Sequence, residues 1–346
     1  MNRALLFRLH RYVGLALAPL LLLQAATGML LLWHRPAARL IDPAGMTSRH
    51  RGTAITAGEA VRRSEAALPQ ARVVRLDWPA TRDDTFLARL EAPGRTAYAS
   101  IDPAGGAVLR RGAISAFPVE LALALHHRLL SGRIGMAVVL LEALALLTLA
   151  GTGLVHWWPR RAPRLRQLAV RWTVAPRLVL RQLHRTAGVA MSAILAFSAS
   201  TGVLLVVPEL AGGAAPPAVR GAIDAATIDR AVLAARTALP GAPIHDLRVT
   251  DSALIVNIDA PERSSRALHR VLVPLHGGAL PTVRRAGDDP AWWPTILPLH
   301  SGGTFGNIGR LVLLAGALTL AMLAISGPVM WGQAAAKARS PRRQTA

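Results

Sequence analysis

Two kinds of pattern alternate along the chain. Four uninterrupted apolar runs, Tyr12–Trp33, Ile134–Trp158, Thr186–Pro208 and Leu311–Trp331, are separated by polar stretches of unequal length. A helix that crosses a bilayer needs about 20 apolar residues, so each run predicts a transmembrane span. Glu142 is the single formal charge inside them. The first run follows Arg3, Arg8 and Arg11 in the manner of a signal peptide. It is longer than the ~7–15 apolar residues of such a segment and recurs in mid-chain, so it reads as a retained helix.

The two longest polar stretches carry the patterning of folded domains. The first opens with ITAGEAVRRSEAALP, where Thr56 and Glu59 have the spacing of a capping box. The runs ARVVRLDW, TFLARLEA and TAYASID then alternate like strands, with DPAGG as a turn. The second stretch repeats the order with AATIDRAVLAARTALPG, then IHDLRVT, ALIVNID and HRVLVPL, then HGG. Each predicts a helix followed by about three short strands, a sheet that needs a partner such as the other sheet or the membrane surface.

The spans themselves repeat. LHRYVGLALAPLLLLQAATGMLLLW begins at Leu9, and LHRTAGVAMSAILAFSASTGVLLVV begins 174 positions later at Leu183. The same offset sets ALHHRLLSGRIGM, which ends at Met136, on PLHSGGTFGNIGR, which ends at Arg310. It places His10 on His184, Gly14 on Gly188, His126 on His300, Gly132 on Gly306, Gly135 on Gly309, Gly153 on Gly327 and Trp157 on Trp331. One offset that serves both helix pairs predicts a duplication. Each half runs helix, large loop, helix from the same side, so the repeat is parallel about an axis along the membrane normal. The expected fold is a membrane all-α core of four transmembrane helices with two small periplasmic α+β domains. Its expected segments are 1–34 (N-terminus and first span), 35–133 (first outer domain with an interfacial helix), 134–158 (second span) and 159–185 (cytoplasmic connector). They continue with 186–208 (third span), 209–310 (second outer domain), 311–332 (fourth span) and 333–346 (cytoplasmic tail).

Charge sets the orientation. The chain carries a net charge of +21, and every basic residue except Lys337 is arginine. The connector holds Arg160, Arg161, Arg164, Arg166, Arg171, Arg177, Arg181 and Arg185 with no acid, and the tail adds Lys337, Arg339, Arg342 and Arg343. The positive-inside rule puts these segments and both termini in the cytoplasm. Topology thus accounts for the charge, and no nucleic-acid partner is expected. The absence of cysteine excludes iron–sulfur clusters, thiolate zinc sites, covalently attached haem and disulfides.

Histidines sort by depth. His10 and His184 fall at the cytoplasmic face, and His126 and His300 at the outer face. Two imidazoles that meet across one iron form a bis-histidine haem site, so these four are the expected metal ligands. Gly14 and Gly188 lie one turn inside His10 and His184 on the same helix face, and would admit a flat macrocycle or a neighbouring helix. Arg11 and Arg185 follow the inner histidines and could pair with haem propionates or anchor at the headgroups, with Arg128 a weaker outer counterpart. His34, His127 and His156 have Pro208, Ser301 and Met330 at their repeat positions and suit interfacial placement. A His156–Met330 ligand pair is a weaker alternative. Glu142, whose repeat position is Gly316, is a functional candidate by its depth.

The LHR…G…TG helix, the outer helix-plus-strands domain, the LH…G…G re-entry and the TGLVHWWPRR exit resemble the PepSY-associated transmembrane proteins of Gram-negative inner membranes, from about His10 to Trp331. That resemblance implies two b-type haems on His10, His126, His184 and His300 and a link to iron uptake. Some members are haem-dependent ferric-siderophore reductases. The expected activity is reduction of a periplasmic ferric siderophore or other Fe(III) chelate, with electrons from a quinol or a protein donor and with membrane lipid around the spans. The alternatives are a cytochrome b subunit serving a partner protein, a haem-free PepSY sensor or peptidase regulator, and a transporter. Flavin and dinucleotide fingerprints are absent, since GTGLVH lies inside a span.

Overall fold

The computed structural model describes residues 3–158, 165–212, 223–276, 280–288 and 292–339. Of the basic segments, Arg160, Arg161, Arg164, Arg342 and Arg343 lie outside these residues. The helices are α1 (Arg3–Leu31), α2 (His34–Ile41), α3 (Pro43–Met46), α4 (Ala57–Ala67), α5 (Pro118–Arg128), α6 (Gly132–Trp157), α7 (Pro176–Gly212), α8 (Ala225–Ala238), α9 (Trp293–His300) and α10 (Gly306–Arg339). The strands are β1 (Arg72–Asp77), β2 (Phe86–Ala92), β3 (Arg95–Ile101), β4 (Val108–Ala113), β5 (Ile244–Val249), β6 (Ala253–Asp259), β7 (Leu268–Pro274) and β8 (Thr282–Arg284). The chain divides into a helical unit (Met1–Leu32, Leu123–Gly212, Leu299–Ala346) and a sheet unit (Trp33–Ala122, Gly213–Pro298).

In the helical unit α1, α6, α7 and α10 are long and apolar enough to span a membrane, as the four hydrophobic runs require. The chain is a membrane protein. The helix α1 packs on α6 and α10, and α7 packs on the same two, so α1 and α7 stand at opposite corners of a square, as do α6 and α10. Leu21, Ala25, Leu195 and Leu320 form its buried centre, with Leu17, Leu149, Met191 and Leu323 around them.

Two tight turns deliver α5 into α6 and α9 into α10. Leu129 and Leu130 take φ of 45° and 57°, and Gly132 takes 54°. Positive φ in a non-glycine residue is strained, and such strain persists only where the surroundings enforce it. Here enforcement comes from Gly135, whose missing side chain admits the Arg128 carbonyl. In the second half Gly302 (φ 74°) and Gly306 (φ 58°) make the turn, and Gly309 admits the Gly302 carbonyl. Gly135 and Gly309 thus serve the turns.

The sheet unit corrects one expectation. The strands of both polar stretches form one antiparallel sheet in the order β4-β3-β2-β1-β5-β6-β7-β8, instead of two small sheets. Each stretch also contributes a fourth strand, β4 or β8. Four short strands cannot bury enough surface alone, so β1 and β5 pair edge to edge and the two halves share one core. Leu76 faces Leu247 at the centre of that pairing, and both are fully buried with Val73, Leu90, Ile101, Leu254, Val256 and Ile258 beneath α4 and α8. On the opposite face the register sets Arg75 beside Arg248 and Asp77 beside Asp246. Like charges directly opposite repel, so the side chains pair diagonally. Arg75 donates to Asp77 at 2.6 Å and forms an ion pair with Asp246 at 3.0 Å, and Arg248 donates to Asp246 at 3.3 Å. Burial pushes the Asp77 carboxyl up. Burial acts the same way on Asp246, but Arg75 and Arg248 outweigh it and hold that carboxyl below the ordinary range.

Thr56 caps α4 as its spacing predicts, accepting from the Glu59 backbone at 3.2 Å. The Glu59 carboxylate turns instead to Arg62 and Arg63. Thr56→Ala is expected to lower stability by about 1 kcal/mol, read as a small fall in the thermal midpoint of the purified protein.

Candidate imidazole sites in the helical unit

Four histidines in this unit share one local arrangement. His10 Nδ1 lies 3.0 Å from Thr152 Oγ1, and His184 Nδ1 lies 2.7 Å from Ser326 Oγ. His126 Nδ1 lies 3.0 Å from Thr27 Oγ1, and His300 Nδ1 lies 2.9 Å from Thr201 Oγ1. The residue after each hydroxyl is glycine, and the imidazole lies against it. A Cβ on Gly28 or Gly153 would stand 3.2 or 3.3 Å from the Cε1 of His126 or His10. On Gly202 or Gly327 it would stand 3.5 or 3.9 Å from that of His300 or His184. A hydroxyl followed by glycine is therefore a seat for one imidazole edge: the oxygen takes Nδ1 and the bare backbone takes Cε1.

The seats fix which nitrogen carries the proton. Thr27, Thr152 and Thr201 donate their own hydroxyl protons to the backbone carbonyls of Leu23, Thr148 and Phe197 at 2.7, 2.6 and 3.0 Å. Their oxygens are thereby left to accept. The same hydroxyls also reach the carbonyls of Gln24, Leu149 and Ser198 at 3.2, 3.3 and 2.9 Å. Nδ1 is then the N–H, and Nε2 keeps its lone pair. Metal-bound histidines are held in this way, with the second ring nitrogen donating to an oxygen that sets tautomer and orientation.

The seated rings form two levels. His126 and His300 face each other with ring centres 6.2 Å apart and planes inclined by 51°. Two imidazoles bound end-on to one metal at ~2 Å each place their ring centres roughly 6 Å apart. His10 and His184 sit toward the N-terminal ends of α1 and α7, away from Thr27 and Thr201. At ~1.5 Å per residue Thr27 stands about 25 Å along α1 from His10, so the levels are separated by most of a bilayer core.

Beside the His10–His184 level, Arg11 Nε, Arg185 Nε and Trp157 Nε1 are buried without a hydrogen-bond partner. Buried donors are seldom orphaned, and anionic groups seated beside them would satisfy them. Arg11 otherwise donates to the Tyr12 hydroxyl at 2.8 Å. The residues present thus fit a haem at each level: one imidazole pair per iron, and donors for propionates at the His10 end. Gly14 and Gly188 lie against Leu149 and Leu323 of neighbouring helices, each 3.6 Å from a Cβ built on the glycine.

The remaining histidines have other company. His34 pairs with Glu120, His50 with Asp83, His245 with Asp259 and His269 with Glu262. His127 bonds Glu209 at 2.9 Å, and Arg128 donates to its other nitrogen at 3.2 Å. His156 is exposed and leans on the Phe7 ring, 5.1 Å between centres. Met330 lies half-buried on α10, at the corner opposite α6. Among the described residues no three or more His, Asp or Glu side chains gather as a chelating group.

Sequence reading missed the four hydroxyls as partners. The signal was present: Thr27-Gly28, Thr152-Gly153, Thr201-Gly202 and Ser326-Gly327 are the same dipeptide type at the same offset as the histidines. Comparison with known proteins adds one finding. No curated protein matches the chain. The family model for the PepSY-associated TM region matches residues 7–334, and the chain belongs to that family.

Proposed function

We propose that this chain is a di-haem, b-type electron-transfer protein of a bacterial inner membrane. In this reading it carries electrons to a periplasmic ferric siderophore or similar Fe(III) chelate and releases Fe(II). His10 with His184, and His126 with His300, hold one haem each, and Arg11, Arg185 and Arg128 lie beside them. The single observation that carries the reading is the set of four hydroxyl-seated imidazoles, arranged as two pairs at two depths and each left with a free Nε2. Stabilising a protein core needs no such arrangement twice over.

We further infer a parallel tandem duplication with both termini in the cytoplasm and the sheet unit in the periplasm. It rests on the 174-residue offset shared by helices, histidines and hydroxyls, and on the basic connector and tail. The haems would supply one-electron carriage, while the protein fixes their ligands, depth and exposure. The seats hold each Nδ1 proton in place, so the rings do not exchange tautomers during turnover. The arginines of the sheet unit favour approach of an anionic complex. Reduction helps release because hydroxamate and catecholate oxygens grip Fe(III) far more tightly than Fe(II).

The test is spectroscopic. The purified full chain is expected to show b-type absorbance that sharpens with dithionite. After removal of excess reductant, a ferric siderophore should reoxidise it while a ferrous-iron chelator traps Fe(II). A colourless protein overturns the haem assignment. A coloured one that stays reduced beside ferric chelates overturns the reductase and favours a partner-protein acceptor.

A further inference from the structure

Glu142 is 2% exposed on α6. At ~1.5 Å per residue it lies about 15 Å from the start of the helix at Gly132, deep within a ~30 Å hydrocarbon core. The Gln24 side-chain amide on α1 donates to Glu142 Oε2 at 3.1 Å and to the His126 backbone carbonyl at 3.2 Å. The backbone carbonyl of the same Gln24 accepts from the Thr27 hydroxyl at 3.2 Å, and that oxygen lies 3.0 Å from His126 Nδ1. One residue therefore joins the carboxyl to the His126–His300 pair from two directions.

Glu142 Oε1 is buried with no hydrogen-bond partner. The helices packed on α6 offer it no counter-charge: α1 has no ionisable group from Val13 to Leu31, and α7 has none from Thr186 to Pro208. At the corresponding positions of the other half stand Ser198 and Gly316, so the arrangement serves one half alone. An ionised carboxylate held by a single amide in hydrocarbon is costly, and such residues are rarely retained without a task. A change of one positive charge at the nearby imidazole pair is enough to shift its protonation.

We propose that Glu142 is the proton-accepting partner of the electron that reaches the His126–His300 level, an inference that rests on the di-haem reading above. When the quinol or protein donor delivers one electron, ferric iron becomes ferrous and one positive charge is lost. Glu142 then takes one proton from water at Oε1, and its carboxylate becomes the acid. When the electron passes to the ferric chelate, the iron returns to ferric and Glu142 releases that proton. Charge inside the low-dielectric bundle stays constant through the cycle, which lowers the cost of electron residence there.

The experiment is a redox titration of the purified full chain at several pH values around neutrality, with dithionite as reductant. One haem is expected to lose about 59 mV of midpoint potential per pH unit, the value for a tenfold change in a one-electron equilibrium. The other is expected to stay flat. Glu142→Gln should abolish the slope and keep both haems, and Glu142→Asp should retain it. The reduced-minus-oxidised infrared difference spectrum of the native chain should carry a protonated-carboxyl band that Glu142→Gln lacks; this band tests the proposal even where a variant folds poorly. Two haems with pH-independent potentials, or a slope and band unchanged in Glu142→Gln, overturn the proposal and leave the di-haem reading standing. A colourless native protein removes both.

Discussion

On the di-haem reading, replacing His126 with alanine is expected to leave the purified protein with about one haem in place of two, because it deletes one of the two imidazoles proposed to hold one iron. His10→Ala should do the same at the other level. On that reading the residual haem distinguishes the two variants: in His126→Ala it would be the one at the level of Arg11 and Arg185, and in His10→Ala the one at the level of Gln24. Controls come from the carboxylate-paired histidines. His34→Ala and His127→Ala remove rings bonded to Glu120 and Glu209 and should keep both haems. The measurement is haem per protein from the dithionite-reduced spectrum, with elution volume checking that each variant folds. Two haems in both His126→Ala and His10→Ala would defeat the ligand assignment.

What the sequence could reveal followed from the length of each signal. Runs of about 20 apolar residues are long enough to stand clear of any local competitor, and all four spans appear where hydropathy sets them. Thr56 announced the start of α4 because a cap is a local event. The outermost strands were not legible. Val108–Ala113 alternates only weakly and buries no residue, and Thr282–Arg284 is exposed throughout, so neither carries the period of a half-buried strand. The joining of the two sheets was also hidden. It depends on Arg75-Leu76-Asp77 meeting Asp246-Leu247-Arg248, segments far apart in sequence whose fit shows only once the register is known.

At the candidate site the division is similar. The imidazoles could be found because the same residue recurs at one offset at both depths. The hydroxyls could not, because a threonine before a glycine in an apolar helix has a ready explanation in helix packing. Only the distances from Thr27, Thr152, Thr201 and Ser326 to Nδ1 separate the two roles. Gln24 was invisible for the same reason: nothing in sequence links it to Glu142 or to His126.

Ser326→Ala is expected to weaken haem binding at the His10–His184 level by roughly 10- to 100-fold, the usual cost of removing the group that orients a ligating histidine. The four seats are chemically unequal, which makes the prediction specific. Thr27, Thr152 and Thr201 anchor their hydroxyls on the Leu23, Thr148 and Phe197 carbonyls at 2.7, 2.6 and 3.0 Å. Ser326 Oγ has the shortest contact of the four, 2.7 Å to His184 Nδ1, and its bond to its own backbone is long, 3.4 Å to the Leu323 carbonyl. Without that oxygen His184 is free to rotate or to carry its proton on Nε2, and either change would take the lone pair away from an iron held as proposed. Thr27→Val should weaken haem binding at the His126–His300 level within the same range, since it removes the oxygen 3.0 Å from His126 Nδ1. Ser326→Thr should restore native behaviour by matching the other three seats. Haem transfer to an excess of a competing haem-binding protein reads the affinity of each variant. Native retention in both Ser326→Ala and Thr27→Val would mean that these hydroxyls only pack helices.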